Sequence, residues 1–145
     1  MIPMQKKIIG RRERLDFPDW KLRKVTCKVD TGAYTSSIHC EFAEEREVEG
    51  KKLLFFKVLS PEDKKYKGKI IQTEAYTRKK VKNSFGQEEI RYKVSTKVAM
   101  FGEEFEAEFT LTDRSKMRFP ILLGRKIIRG RFIVDVVLVN LSKHQ

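Results

Sequence analysis

Asp30-Thr31-Gly32-Ala33 is the stretch of this chain best suited to chemistry, because of what precedes it. Lys24-Val25-Thr26-Cys27-Lys28-Val29 is a β-rich, alternating run that delivers an aspartate into a turn, and the turn then supplies a glycine and a small residue. A carboxylate carried this way can point into a cleft, with the backbone folding tightly at Gly32 and the Thr31 hydroxyl holding the loop. The chemistry open to it is activation of water. Two close carboxylates cannot both ionise cheaply, so they share a proton. The ionised one takes a proton from the water, and the protonated one donates to the oxygen of the bond under attack. An aspartate opening an ordinary turn fits the same four residues.

A second segment must position the first. Pro120-Ile121-Leu122-Leu123-Gly124-Arg125 reads as a short buried strand ending at a glycine, and Lys126-Ile127-Ile128-Arg129-Gly130 follows it. Gly124 and Gly130 punctuate a short helix predicted near 125–129, and a strand is predicted over 132–139. Elsewhere, residues 53–59, 68–77, 90–99 and 104–111 are rich in β-branched and aromatic types and predict strands. Asn83-Ser84-Phe85-Gly86 is a turn between the alternating runs 76–81 and 90–94, so a hairpin is expected there. With 145 residues, no internal repeat and no low-complexity linker, residues 1–145 are expected to form one domain with a modest β core.

The ordered pair of segments resembles pepsin-like and retropepsin-like folds, in which an apolar-apolar-Gly element crosses beside the Asp loop and leads into a short helix. The pattern is similar almost end to end to the bacterial family called ATP-dependent zinc proteases, also described as retropepsin-like aspartic endopeptidases. It runs through Gly10-Arg11-Arg12-Glu13, Val29-Asp30-Thr31-Gly32-Ala33, Thr35-Ser36-Ser37 and His39. It resumes at Ser84, Gly86, Glu89 and Arg91, and closes with Thr110-Leu111-Thr112-Asp113-Arg114, Met117, Phe119, Leu122-Leu123-Gly124-Arg125 and Gly130-Arg131-Phe132. Tyr34 stands where many members carry Arg, and Gln87 where many carry His. The resemblance implies a mostly β, closed acid-protease barrel with one short C-terminal helix. It implies catalysis by Asp30, with Thr31 and Gly32 shaping its loop and Ala33 beside the substrate. The hairpin tip, Asn83, Ser84, Phe85 and Gly86, becomes a flap over a peptide, with Arg78 on its approach. Leu123, Gly124 and Arg125 become the support of the Asp loop. In retroviral peptidases that Arg pairs with an Asp just after Asp-Thr-Gly-Ala; here the position is Tyr34, so Arg125 needs another acid, and Glu13 is the candidate.

The aspartic mechanism needs two carboxylates, and the chain holds one Asp-Thr-Gly. Asp113 and Asp135 sit in other contexts. The second Asp30 is therefore expected from a second copy across a two-fold axis, with residues 10–13 and the C-terminal apolar strand helping to build the interface. Zinc and ATP find no basis in the residues. His39 and His144 are far apart, His39 and Cys40 would point to opposite faces of a strand, and no Gly-x-x-x-x-Gly-Lys-Ser/Thr occurs. No cofactor is expected. If ATP matters, it enters through a separate partner such as the ATP-grasp glutamate ligases with which the family is associated.

Thirty-two Lys and Arg against twenty Asp and Glu give a net charge of +12, concentrated at 64–69 and 78–82. Such a field gathers acidic partners, although any single Lys equally serves a solvated strand edge. An acidic peptide or protein is the expected substrate, with Arg78, Lys79, Lys80 and Lys82 contributing. No aromatic RNA-recognition run appears, so nucleic acid is not the expected partner. Two cysteines, Cys27 and Cys40, make no disulfide framework and read as reduced thiols. No apolar run approaches a membrane span or a signal peptide, so a cytoplasmic location without membrane contact is expected. The alternative to a homodimeric aspartic endopeptidase is a non-catalytic binding module on the same fold, recognising an acidic protein or nucleic acid.

Overall fold

The computed structural model describes residues 5–82 and 84–144, with backbone alone at 143 and 144. Asn83, expected in the hairpin tip, lies outside the described residues. The strands are β1 (Lys7–Ile9), β2 (Arg12–Phe17), β3 (Leu22–Val29), β4 (Ser36–Val48), β5 (Lys51–Val58), β6 (Ile71–Thr73), β7 (Tyr76–Lys82), β8 (Glu88–Met100), β9 (Glu103–Thr112), β10 (Ile121–Leu123) and β11 (Phe132–Val134). One helix, α1 (Arg125–Ile128), follows β10 where the two glycines predict it.

Six strands close on themselves in the order β10-β3-β2-β8-β9-β4, with β10 pairing back onto β4. β10 runs parallel to β3 and antiparallel to β4, and β4 runs parallel to β9. The result is a closed mixed barrel with one short helix, the mostly β architecture expected. β5 and β6 extend the sheet beyond β4, and among the described residues β7 pairs only with β8. Strict alternation fills the interior: β2 turns Glu13, Leu15 and Phe17 inward, and β9 turns Ala107, Phe109 and Leu111 inward. Phe17, Phe56 and Phe109 are fully buried, and Trp20 stacks on Phe17 at 4.9 Å while meeting Phe56 edge-on at 5.5 Å. Each such ring contributes about 1.5–3 kcal/mol by leaving water.

β1 and β2 form where no strand is predicted, and three further stretches differ from expectation, each for a local reason. The run 68–77 is not one strand. The Thr73 hydroxyl accepts the Ala75 amide at 3.0 Å, which turns the chain so that β6 serves β5 and β7 serves β8. The strand predicted over 132–139 stops at Val134. Asp135 accepts the Val137 amide on its own carboxylate at 3.0 Å, and Arg11 reaches the carbonyls of Val136 and Val137, both at 3.0 Å, so these groups leave the ladder. β4, thirteen residues long, is expected as strand only at His39 and Cys40, because its outer half is rich in charged residues although it pairs with β5.

The N-terminal segment and the C-terminal segment also meet within the chain. β1 pairs in parallel with β11, matching Ile8 with Ile133. Gly10 lies so close to the returning chain that a Cβ would stand 2.2 Å from the Leu138 carbonyl oxygen. Residues 10–13 and the C-terminal apolar strand, expected to face a second copy, are thus first of all partners of each other.

Candidate active site

Asp30 follows β3 directly. Val29 is in register with Leu123 of β10, and the Asp30 amide donates to the Leu123 carbonyl at 2.9 Å. The turn closes when the Ala33 amide reaches the Asp30 carbonyl at 3.3 Å, and the Gly32 amide donates to the Asp30 carboxylate at 2.9 Å. A backbone donor of this kind fixes where the carboxylate points. Asp30 is half-buried, whereas Thr31 and Gly32 are exposed. A Cβ at residue 32 would sit 3.2 Å from the Asp30 Oδ1, so the glycine serves close approach to the carboxylate.

β10 and α1 hold this loop from below. The Arg125 amide donates to Ala33 O at 2.8 Å, the Lys126 amide to Tyr34 O at 3.0 Å, and the Gly124 amide to the Ser36 hydroxyl at 2.9 Å. These bonds draw the backbones so near that a Cβ at residue 124 would meet Thr35 O at 2.7 Å and Tyr34 O at 2.8 Å. Leu123, Gly124 and Arg125 thus each lie in hydrogen-bond or close backbone contact with the Asp loop and the residues just after it. Ser36, which joins them, is marked in the sequence only as part of the Thr35-Ser36-Ser37 run that follows the loop.

Two side chains take other partners than those expected. Arg125 donates from Nη1 to the Thr31 carbonyl at 3.0 Å and lies over the Tyr34 ring at 5.8 Å. Tyr34, placed where an acid would be needed, offers its π face instead. Glu13 is not the partner of Arg125. It is 0% exposed on β2 and accepts from the Gly10 amide at 2.7 Å, the Leu141 amide at 3.1 Å, and the Ser142 amide and hydroxyl at 2.9 and 2.8 Å. Its inward position in the alternation commits it to locking the C-terminal segment against β2. Thr31 holds the loop through its carbonyl rather than its hydroxyl among the described residues.

The hairpin forms as predicted. β7 pairs with β8 from Tyr76↔Val94 to Lys82↔Glu88, while β9 pairs with β8 only from Lys93 onward. The outer part of the hairpin, with Ser84, Phe85 and Gly86 at its tip, thus runs past the barrel as an exposed two-stranded arm. Gly86 has φ +77°, which suits the turn. Beneath the arm lies a hollow of about 250 Å³ lined by Thr35, Thr77, Lys79, Arg91, Lys93 and Thr110, among others. Thr35 ties this hollow to the Asp loop. Residues 77, 79 and 81 face it, so by the two-residue period Arg78 and Lys80 face away. Arg78 instead lies 3.6 Å from Glu45, which also accepts the Tyr76 hydroxyl at 2.7 Å.

A family model for RimB-like proteins, described as the retropepsin-like aspartic endopeptidase RimB, matches residues 8–145. The chain belongs to this family. Protein Lpg0085 of Legionella pneumophila, a protein of unknown function (DUF785), has the same fold. The match has a TM-score of 0.71 and 26% identity, and covers 95% of this chain and 99% of that one. Two relatives named "Probable alpha-L-glutamate ligase", from Desulfotalea psychrophila and Shewanella pealeana, are each 32% identical over 133 residues. That overlap takes in 92% and 90% of this chain but only 29% and 28% of those proteins, so the family domain is a minor part of their length.

Zinc, which one name for such proteins implies, does not fit these residues. Among the described residues no three His, Cys, Asp or Glu side chains gather as a ligand set. Both ring nitrogens of His39 are engaged, at 2.8 Å by the Arg114 amide and at 3.2 Å by Glu41. Burial pushes the Cys27 thiol up, and it pushes the Cys40 thiol up to about 11, so neither readily supplies the thiolate that zinc takes.

Proposed function

We propose that this RimB-like domain is an aspartic endopeptidase that works as a homodimer, each copy contributing one Asp30 around a shared water. The observation that carries this reading is the Asp30 carboxylate itself. It is aimed by the Gly32 amide, set at the end of a barrel strand, and bordered by exposed residues on an open face. A second carboxylate from the same chain has weak support. Asp113 accepts the Ser115 amide at 2.9 Å and Asp135 the Val137 amide at 3.0 Å, each serving its own turn. A second copy is supported by the apolar side chains left bare beside the β1–β11 pair. Ile8 and Ile133 face solvent, and Val136 and Val137 are 67% and 77% exposed.

In each turnover one Asp30 would take a proton from water while its mate donates to the scissile carbonyl oxygen. The β7–β8 arm would close over the peptide and exclude bulk water. An acidic substrate is supported by the net charge of +12 and by Lys79 in the hollow under the arm, where Arg91 and Lys93 are paired with Glu89 and Glu108. The occurrence of the domain within proteins named as glutamate ligases supports a functional link with glutamate addition, whose products are acidic. A second reading rests on the same cations: the hollow holds an acidic tail without cleaving it.

Asp30→Asn separates the two. It preserves the acceptor for Gly32 and should fold normally. Hydrolysis of an acidic peptide should fall by about 10²–10⁴-fold while binding persists. Wild-type turnover in a well-folded Asp30→Asn protein would exclude the peptidase assignment.

A further inference from the structure

We propose that His39 is a positioning residue for the Asp30 site, holding Arg114 in place through the Arg114 backbone amide. The role rests on Asp30 being the reacting group. His39 is 3% exposed on β4, two residues beyond Ser37. Its Nδ1 accepts the Arg114 amide at 2.8 Å, and its Nε2 lies 3.2 Å from Glu41 Oε1. A ring nitrogen that accepts an N–H carries no proton, so the proton sits on Nε2 and is donated to Glu41.

Arg114 is then fixed at three points. Beyond its amide, Nε donates to the Phe119 carbonyl at 3.1 Å and Nη1 to the Ser37 hydroxyl at 3.3 Å. Ser37 is in register with Leu122, and the carbonyl of the next residue, Leu123, takes the Asp30 amide. His39, Arg114, Ser37, β10 and Asp30 thus form one line of contacts. Burial lowers the Arg114 pKa and the charge of Asp30 opposes that shift, so the guanidinium lies within the field of the carboxylate. Among the described residues no ion pair joins the two. Arg114 is therefore placed to brace, through Ser37 and β10, the loop that carries Asp30.

The arrangement depends on the protonation of His39. The charged groups facing the ring are Glu41 on its own strand, Asp113 and Arg114 from the loop after β9, and Glu62 from the loop after β5. Asp113 Oδ1 stands 3.7 Å from Nδ1. A second proton would convert Nδ1 from acceptor to donor. The ring would then release the Arg114 amide and turn to Asp113. Neutral His39 holds Arg114, and the imidazolium lets it go.

Two variants test this. His39→Asn keeps an oxygen acceptor where Nδ1 stands and cannot take a proton; His39→Leu removes the acceptor. The first readout is the hydrogen-exchange protection of the Arg114 amide by NMR, which needs no turnover. Protection should fade in wild type on acidification, persist in the Asn variant, and be lost at every pH in the Leu variant. The second readout is kcat on an acidic peptide. It should drop about tenfold in the Leu variant, with KM less affected, and stay within about twofold in the Asn variant at neutral pH. The ratio of Asn-variant to wild-type kcat should rise as pH falls. A pH-independent ratio, or an Arg114 amide equally protected in the Leu variant, overturns the proposal. If the Leu variant does not fold, protection in the Asn variant that fades with acid as in wild type overturns it alone. Asp30→Asn keeps the two failures apart. If it turns over like wild type the peptidase reading falls, while Arg114 exchange still decides the His39 link.

Discussion

At the residue scale, the positions with most to lose are those where one side chain answers several backbone groups. Glu13 answers three amides and a hydroxyl from inside the barrel. Glu13→Ala would strand the buried donors of Gly10, Leu141 and Ser142, and should cost about 3 kcal/mol in urea denaturation. Because Glu13 does not touch Arg125 or the Asp loop, kcat per folded molecule should hold; a selective loss of kcat with unchanged stability would reverse that assignment. Asp30, Gly32 and Gly124 were legible from their order along the chain, because each answers to a local backbone demand. The partner of Arg125 was not. A cation can be satisfied by a carbonyl and a ring face as well as by an acid, and nothing in residue order distinguishes Thr31 O from a distant carboxylate. The inward place of Glu13 could have been found from the alternation Glu13, Leu15, Phe17, since a charged residue on the apolar phase of a strand must be buried with partners.

At the element scale, β3, β5, β8, β9 and β10 were legible within a residue or two and the helix lay between its two glycines, whereas β2 was not predicted despite its alternation. Most of β4 escaped because its outer half is rich in charged residues that stay partly or fully exposed, so its own alternation carries no burial signal. The break between β6 and β7 escaped because it rests on one Thr hydroxyl. The arm carries the element-scale prediction. Lys79 faces the hollow and has no acidic partner among the described residues, whereas Arg78 lies beside Glu45 on the other face. Lys79→Ala should raise KM for an acidic peptide about threefold to tenfold at low salt, and this effect should shrink as salt rises. Arg78→Ala should leave that KM near wild type. Equal effects of the two substitutions would mean that the arm acts through total charge and not through the hollow.

At the scale of the whole molecule, the proposed mechanism makes one chain half of a two-carboxylate device. Its N- and C-terminal segments close on each other through β1 and β11, and through Glu13, before any partner is met. That closure leaves Ile8, Ile133, Val136 and Val137 bare, a surface a second copy can use even if the dimer forms only around substrate. Fold class was legible from Asp-Thr-Gly-Ala followed in order by Ile121-Leu122-Leu123-Gly124-Arg125, whereas a second carboxylate is an inference from the chain holding one Asp-Thr-Gly. The internal pairing of the two ends was not legible, because parallel strands more than a hundred residues apart leave no mark in either segment. The most direct measurement is of peptidase activity in mixtures of wild type and Asp30→Asn at constant total protein and saturating peptide. If two Asp30 residues share each site, activity should follow the square of the wild-type fraction. Activity falling in simple proportion to that fraction would mean that one chain holds a complete site, and would contradict the shared-water account.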